Sequence, residues 1–398
     1  MAKKYNYSRK GLKGLNPFPF LGEVKTRIKA IEAAPATIPQ SIFSANILAA
    51  ELHPAVQYAK VSKVVEHNGA KSFTLVPNKE KNTENLAYFR AGQYVSVSLD
   101  IDGAYVNKPY TICSNPKDAL DGSYTLTIKA TNPGYASKYI LENWKEGTEV
   151  KLSGPLGEFY YEGLRDAKNV IAIAGGSGIT PFFSMASAIK DGIEDFNLTI
   201  LYGSRTSDNI LLKDELEAIA SQSSGKVKVV HVLSDEEKEG FEHGFVSAQL
   251  IKKYAPEGEY SVFMCGPSAL YAYEEQQMKA LGLKKKFYRM ELSGDSKIKS
   301  EKGEQIFNLT VVIRGEKTTI KTSSEEPLLW AMEKAGIKAP SHCRSGECGW
   351  CHSRLISGDV YVPENKDGRR LADKKFGWIH PCASYALSDI ELEIFPVE

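Results

Sequence analysis

The 398-residue sequence lacks any excess of charge of one sign, because 50 Lys and Arg are balanced by 49 Asp and Glu, for a formal net charge of +1. This balance provides no overall field that would favour nucleic acid or an anionic membrane. Long unbroken apolar runs are also missing. The longest stretch, Asn169 to Ile189, is interrupted by Gly-Gly-Ser-Gly, and the basic N-terminus leads into Asn16-Pro17-Phe18-Pro19 rather than an apolar segment. We therefore expect no membrane span, no secretory signal and a cytoplasmic location.

Cysteine is scarce, and six residues in a chain of this length do not indicate a disulfide framework. Four of them lie near the C-terminus, where Cys343, Cys348 and Cys351 are spaced C-x4-C-x2-C and Cys382 follows later. This asymmetric spacing is typical of the ligands of a plant-type 2Fe–2S cluster. The alternative is a zinc-bound structural module, although zinc sites usually draw their ligands from two short-spaced pairs. The pattern therefore predicts a 2Fe–2S cluster held by these four thiolates.

The length predicts two or three domains at roughly 150 residues each. Residues 306–398, here called the cluster module, combine a strand pair (Ile306–Arg314 and Thr318–Thr322), a helix over Glu326–Ala335, the cysteine loop and a closing strand. This order resembles the plant-type ferredoxin fold, an α+β unit of the β-grasp type. Residues 293–305 contain almost no apolar side chains and are typical of a linker.

Two further modules precede the linker. Residues 167–292, the nucleotide module, alternate short apolar runs with helical stretches, which predicts an α/β domain with a parallel sheet. Residues 53–163, the barrel module, contain five strands and one helix candidate, Tyr135–Trp144, which predicts an antiparallel β-barrel. Residues 1–52 match neither pattern. Their first 30 residues contain eight Lys or Arg and one acid, which indicates either a solvated arm or a docking arm for an acidic partner.

A glycine-rich turn lies between a predicted strand and a predicted helix of the nucleotide module. It runs Gly175-Gly176-Ser177-Gly178-Ile179-Thr180-Pro181. Thr180 is a favourable N-cap and Pro181 is favoured at the first helical position. The glycines would let a pyrophosphate approach the helix N-terminus. Because the spacing is not G-x-G-x-x-G, a plain strand-to-helix turn is the alternative when this motif is taken alone.

Four motifs then occur in a definite order. They are Lys108-Pro109-Tyr110-Thr111, Gly134-Tyr135-Ala136-Ser137, the glycine-rich turn and Cys265-Gly266-Pro267. With the cysteine pattern behind them, roughly residues 53–398 resemble the ferredoxin–NADP reductase family of flavoproteins, in the single-chain form that carries a C-terminal ferredoxin domain. The resemblance implies that electrons pass from NADH or NADPH through FAD and the 2Fe–2S cluster to an acceptor protein, either an oxygenase or another redox enzyme.

The resemblance also implies roles for residues of the barrel module. Tyr110 is expected to lie against the isoalloxazine and Thr111 to bond its N5 edge. Lys108 stands where the family usually has Arg for the flavin phosphate, and Lys lacks the bidentate fork of Arg. Ser137 and the backbone N–H groups of Tyr135 and Ala136 are expected to cradle a pyrophosphate, which favours FAD over FMN.

In the nucleotide module, the resemblance implies that Cys265 helps to position the nicotinamide. Thr111 and Cys265 are therefore the candidate catalytic residues, and Glu291 is expected to lie near the flavin. Ser204 and Arg205 follow the second strand and are suited to a 2′-phosphate. The acidic segment Asp235-Glu236-Glu237 would repel that phosphate, so we expect NADH to be favoured over NADPH.

A function of another class is a non-catalytic redox sensor or an electron-relay subunit of a larger complex. Such a protein would need no site for hydride transfer from a nucleotide, so the glycine-rich turn and Cys265-Gly266-Pro267 favour the reductase. Its acceptor is expected to be a protein, and residues 1–52 are the candidate docking segment.

Overall fold

The chain divides into two compact units, residues 1–51 and residues 52–398. Two helices occur at the N-terminal end, α1 (Phe18–Ala33) and α2 (Ser44–Leu52). No helix in the described ranges is long and apolar enough to cross a membrane. The computed structural model describes residues 18–33, 43–131, 134–291, 295–300 and 302–395.

Two sequence-based expectations fall partly outside these ranges. Residues 1–17, which carry much of the basic excess of the predicted arm, are not among the described residues. The same holds for residues 292–294, where the predicted linker begins.

The barrel module is a six-stranded antiparallel sheet, with the order β4-β3-β6-β1-β2-β5. Its inner face is apolar, with Phe73, Val95 and Leu126 fully buried, because apolar residues alternate along each strand. The strands are β1 (Gln57–His67), β2 (Ala70–Pro77), β3 (Tyr94–Ile101), β4 (Ala104–Thr111), β5 (Tyr124–Lys129) and β6 (Glu149–Leu152).

The barrel module contains two helices, α3 (Pro116–Leu120) and α4 (Tyr135–Asn143), so the expectation of a single helix was wrong. Helix α3 is too short to show a helical hydrophobic period. It is stabilised by its cap instead, since the Asn115 side chain accepts from the Lys117 N–H and the Asp118 carboxylate accepts from the Asn115 N–H.

The nucleotide module is a six-stranded parallel sheet of order β10-β9-β8-β7-β11-β12. Helices α5 and α6 pack on one face and α7 and α8 on the other, so both faces are apolar. The elements are β7 (Asn169–Gly175), α5 (Thr180–Lys190), β8 (Asn197–Ser204), α6 (Lys213–Gln222), β9 (Val227–Leu233), β10 (Glu242–His243), α7 (Ala248–Tyr254), β11 (Ser261–Cys265), α8 (Ser268–Ala280) and β12 (Tyr288–Glu291).

The strand order of this sheet reverses between β7 and β11. The chain proceeds from β7 outward to β8 and β9, and returns to place β11 on the other side of β7. Ala174 therefore pairs with Cys265 at the carboxyl ends of the two strands. Ligands of open α/β sheets bind at such a switch point.

The cluster module is a mixed five-stranded sheet of order β14-β13-β19-β15-β17, with a separate two-stranded sheet formed by β16 and β18. Leu328, Leu329 and Met332 of helix α9 are buried against the main sheet. The elements are β13 (Ile306–Ile313), β14 (Glu316–Ser323), α9 (Leu328–Lys334), β15 (Ser353–Ser357), β16 (Val360–Tyr361), α10 (Leu371–Phe376), β17 (Trp378–Ile379), β18 (Tyr385–Ala386) and β19 (Ile390–Glu393).

A buried carboxylate joins the segment after the barrel to the nucleotide module. The Asp166 side chain is 1% exposed and accepts from Arg289 Nε at 2.8 Å and from Arg165 NH2 at 2.9 Å. It also accepts from the backbone N–H of Glu162 at 2.9 Å. Because Arg289 belongs to β12, this carboxylate connects the chain leaving the barrel with the far edge of the parallel sheet.

We expect Asp166→Asn to lower the free energy of unfolding by about 2 kcal/mol, because it leaves two half-buried arginines, Arg165 and Arg289, without the carboxylate that they share. The matched control is Asp195→Asn. Asp195 also binds two cations, Lys168 and Lys226, but its side chain is 70% exposed, so the loss there should be below about 1 kcal/mol. Urea unfolding of both variants measures the difference, and equal losses would contradict the assignment.

Candidate functional site

A single cavity of about 2480 Å³ is lined by residues of all three modules. It exceeds the roughly 300–1,000 Å³ of a pocket for one drug-sized ligand. Pro181, Cys351 and Cys382 are buried and do not line it. The other residues predicted from the sequence all line it: Lys108, Pro109, Tyr110, Thr111, Gly134, Tyr135, Ala136, Ser137, Gly175, Gly176, Gly178, Thr180, Ser204, Arg205, Cys265, Gly266, Pro267, Glu291, Cys343 and Cys348.

Strand β4 presents the predicted flavin residues to this cavity. Tyr110 packs against the barrel core, and burial raises the pKa of its hydroxyl well above the usual range, so the ring is neutral. Thr111 is half-buried at the end of the strand. Lys108 Nζ donates to Asp295 Oδ1 at 2.8 Å. The cation predicted to meet the flavin phosphate is therefore already bound by a carboxylate.

The start of helix α4 lies at the cavity wall, where the sequence predicts a pyrophosphate cradle. A Cβ at Gly134 would lie 2.2 Å from the Thr131 carbonyl oxygen, so the chain can follow this path only with glycine there. Ser137 is buried and its hydroxyl lies 3.0 Å from Thr131 Oγ1. Tyr135 donates its hydroxyl proton to the Ile101 carbonyl at 3.0 Å, which ties the helix to β3. The arrangement brings free helix N–H groups to the cavity wall, as a phosphate requires.

The glycine-rich turn is packed against the end of β11. A Cβ at Gly178 would lie 2.0 Å from the Cys265 carbonyl oxygen and 2.7 Å from the Gly266 nitrogen. Only glycine allows this approach, which closes the switch point of the sheet. Cys265 is 6% exposed, and burial raises the pKa of its thiol well above the usual range. It is therefore a neutral, compact group in the cavity wall at the switch point of the sheet.

Thr180 is not the N-cap of α5, and this prediction was wrong. A short 3-10 turn over Gly176–Ile179 runs directly into the helix, so that Thr180 and Pro181 are its first two residues. The Thr180 hydroxyl donates to the Ser177 carbonyl at 3.1 Å instead of accepting from a helix N–H. The α-helix thus begins at Thr180, one residue earlier than the cap pattern indicated.

The acidic segment after β9 lies beside the turn after β8. The Asp235 N–H donates to the Arg205 carbonyl at 2.9 Å, and Glu236 accepts from the backbone N–H of Ser207 at 2.7 Å. Ser204, Arg205 and Ser234 line the cavity at this end. The backbone of the acidic segment therefore lies next to that of Arg205, although the side chains of Asp235, Glu236 and Glu237 do not line the cavity.

The cluster loop presents its sulfurs and several N–H groups to one another. The N–H groups of Ser345 and Cys348 donate to Cys343 Sγ at 3.4 Å, and Cys351 Sγ lies 3.4 Å from Cys382 Sγ. Hydrogen bonds from the Cys348 and Cys382 thiols, with these N–H groups, hold the pKa of Cys343 well below its usual range, and the same thiol contacts raise the pKa of Cys348 and Cys382. Thiolate sulfurs that accept N–H bonds are suited to iron.

Backbone geometry allows the loop to curl. Gly346 has φ +85°, and a Cβ there would lie 2.1 Å from the Lys366 carbonyl oxygen. Among the described residues, no three His, Cys, Asp or Glu side chains lie close enough together to hold one metal ion. Four thiolates around two irons do not require such a group, because each iron takes two of them. The donor set therefore fits a 2Fe–2S cluster.

Glu291 ends β12 between the nucleotide site and the cluster loop. Burial, together with Glu347 and Cys343, raises the pKa of its carboxyl to about 8. It lines the same cavity as Cys265 and Thr111. A carboxyl with this pKa is able to hold or release a proton near neutral pH.

Sequence reasoning missed Asp295 and Arg344, whose side chains are at most 1% exposed and form an ion pair. The composition of residues 293–305 indicated a solvated linker, and no periodicity distinguished Asp295 within it. Arg344 lies between the ligands Cys343 and Cys348, where only the cysteines and glycines were informative. A charged side chain next to a cluster ligand was the one available signal.

Comparison with known sequences finds three domain families in order. They are the oxidoreductase FAD-binding domain over residues 63–161, the oxidoreductase NAD-binding domain over residues 172–276 and the 2Fe-2S iron-sulfur cluster binding domain over residues 311–387. These matches confirm the predicted order of the three modules and the cofactors FAD, NAD(H) and 2Fe–2S.

Two characterised relatives cover most of this region. The glycine betaine monooxygenase reductase subunit of Chromohalobacter salexigens is 28% identical over 328 residues, covering 77% of this chain and 88% of the relative. NADH-cytochrome b5 reductase 1 of Lodderomyces elongisporus is 33% identical over 257 residues, covering 63% and 79%. The crystal structure of phthalate dioxygenase reductase has the same fold, with a TM-score of 0.61 at 23% identity, covering 85% of this chain and 97% of that one.

The contact between Gly178 and Cys265 predicts that Gly178→Ala damages the nucleotide site. Because backbone atoms would have to move, we expect kcat/KM for NADH to fall by about 100-fold. Flavin content should be unchanged, since the barrel is untouched. The control Gly163→Ala meets only the Tyr161 side chain, at 3.7 Å, lies outside the cavity lining and should behave as wild type. Steady-state reduction of ferricyanide measures both, and an unaltered Gly178→Ala enzyme would contradict the geometry.

Proposed function

This chain belongs to the ferredoxin–NADP reductase-type flavoproteins that carry a C-terminal plant-type 2Fe–2S domain, and we propose that it takes electrons from NADH and supplies them to an oxygenase. It is an NAD(P)H oxidoreductase of the electron-transfer class. The preference for NADH, the oxygenase as acceptor and the individual residue roles are parts of the proposal. We also propose a cytoplasmic location, because all six cysteines are free thiols.

One observation carries the proposal: the flavin strand, the glycine-rich turn and the cluster loop line one cavity. Transfer from nucleotide to flavin to cluster requires these sites to be adjacent, since the protein contributes orientation and distance and the cofactors contribute the redox chemistry. Two relatives that align with 77% and 83% of this chain are named as reductase components of monooxygenases. An oxygenase is therefore the acceptor that we propose, with residues 1–52 as its docking segment.

In this proposal, Tyr110 and Thr111 orient the flavin, and Ser137 with the α4 N-terminus holds its pyrophosphate. Cys265 limits the space for the nicotinamide and positions it, as a neutral thiol. Glu291 holds a proton close to the flavin. Cys343, Cys348, Cys351 and Cys382 are the cluster ligands.

The ligand assignment predicts that Cys382→Ala removes the 2Fe–2S absorption and its electron paramagnetic resonance signal, while FAD remains bound. Reduction of cytochrome c by NADH should fall by about 10-fold or more, whereas ferricyanide reduction persists at the flavin. The control Cys113→Ala removes a thiol equally buried in another module and should keep the cluster. Zinc in place of iron in the wild-type protein would overturn the assignment.

The nucleotide preference is tested by reversing one charge. Asp235 is exposed next to Arg205, so Asp235→Lys should raise the ratio of kcat/KM for NADPH over NADH by about 10-fold. Glu257→Lys makes the same charge change at an exposed position after α7 and should leave the ratio unchanged. A wild-type enzyme that prefers NADPH would contradict the proposal.

A further inference from the structure

Four charged side chains, three buried and one half-buried, meet where the barrel module contacts the cluster module. Lys108 is on β4 of the barrel, Asp295 follows β12, Glu333 is on α9, and Arg344 is in the cluster loop. Two cations and two carboxylates give no net charge. Their side chains are 24%, 0%, 6% and 1% exposed, respectively, so water screens the group weakly.

Asp295 is the centre of this group. One carboxylate oxygen accepts from Lys108 at 2.8 Å, and the other accepts from Arg344 NH2 and from Trp330 Nε1. Burial alone would raise the pKa of Asp295, but the Arg344 and Lys108 cations hold it well below its usual range. This carboxylate therefore stays charged and binds both modules at once.

Arg344 carries the connection to the cluster. Its NH1 donates to the Asn107 carbonyl of β4 at 3.1 Å, and NH2 donates to Glu333 Oε2 at 2.8 Å. Its backbone is left-handed, with φ +59°, which is uncommon for a residue other than glycine and must be stabilised by these contacts. Because Arg344 directly follows Cys343, the position of its guanidinium sets the path of the loop at a cluster ligand.

Lys108, the member of the group that belongs to the barrel module, lies close to the predicted flavin residues. Lys108 is separated from Tyr110 by Pro109 alone, and all three line the cavity. A continuous path therefore runs from Tyr110 to Cys343. It follows the backbone from Tyr110 to Lys108, hydrogen bonds from Lys108 through Asp295 to Arg344, and the backbone again to Cys343. The barrel and the cluster module also touch elsewhere, for example through Lys338 over the Tyr105 ring, but that contact is less directional.

We propose that Asp295 is a positioning residue, which holds Lys108 and Arg344 together and thereby fixes the cluster loop against the flavin strand for electron transfer. The inference rests on the proposed function, in which electrons pass from flavin to cluster. Charge-assisted hydrogen bonds are satisfied at only one relative orientation of their partners. Loss of the Asp295 charge would leave Lys108 and Arg344 facing each other, and the modules would move apart.

The experiment uses the holoenzyme with FAD and cluster bound. After rapid mixing with NADH, absorbance separates reduction of the flavin from the later bleaching of the cluster. In Asp295→Asn we expect normal flavin reduction and slower cluster reduction, by about 10-fold to 100-fold, as for a displacement of about 1 Å at a reacting pair. Hydrogen exchange of the oxidised protein should rise at β4 and α9, where the modules meet.

Asp166→Asn is the matched control, because Asp166 is an equally buried carboxylate between two cations but does not touch the cluster module. It should leave the step from reduced flavin to cluster unchanged, because Asp166 holds the chain after the barrel against β12 and not against the cluster loop. Glu333→Gln removes one partner of Arg344, keeps Asp295, and should show the same effects more weakly. If Asp295→Asn does not retain its cluster, Glu333→Gln decides the question by the same two measurements.

The outcomes separate the two proposals. A wild-type protein whose cluster is never reduced by NADH overturns the proposed function. A wild-type protein that reduces its cluster, with Asp295→Asn equally fast, overturns the positioning role. The role is also overturned if cluster reduction slows without any change in hydrogen exchange, since the charge would then act on the redox potential rather than on position.

Discussion

A buried carboxylate, Asp295, joins the cluster module to the barrel module, and the position of the cluster loop at the cavity depends on it. The barrel and nucleotide modules share an apolar cluster, in which Phe159 packs against Phe182 and Phe263, whereas the cluster module has an apolar core of its own that does not orient it against the other two. Asp166 connects the barrel segment to β12, and Asp295 connects β4 to the cluster loop. Charge-assisted hydrogen bonds are directional, so they can help to hold the flavin strand, the nucleotide module and the cluster loop around one cavity.

Burying these ion pairs between modules costs free energy, and this cost explains which residues form them. Removing a charge from water costs several kcal/mol, and this is offset only when each ion is paired and hydrogen-bonded. Around Asp295, two cations are matched by two carboxylates, and Trp330 supplies a further donor. Lys108 belongs to this set as well as to the predicted flavin motif. Lys108, which is predicted to bind the flavin phosphate, thus also pairs with Asp295 between the modules. A Lys side chain is flexible enough to contact both groups.

The elements that the sequence predicted well are those with a strong local period. The predicted helix Tyr135–Trp144 differs from α4 by one residue, and the strand pair of the cluster module differs only at its ends. Helix α3 and strand β6 were missed, since five and four residues are too few to show a period and a cap or a partner strand decides them. The start of α5 was misplaced by one residue because a 3-10 turn precedes it.

The sequence alone determined the class of chemistry of this protein. The cysteine loop and the flavin and nucleotide motifs are short local runs, and their order along the chain carries the resemblance to the reductase family. Only the tertiary structure decided which side chains from distant segments meet. Asp295 is an unremarkable acid in a polar stretch until Lys108, 187 residues away, and Arg344, 49 residues away, are brought to it. Pairings over such distances leave no local pattern, because burial and partner geometry arise only when the modules pack.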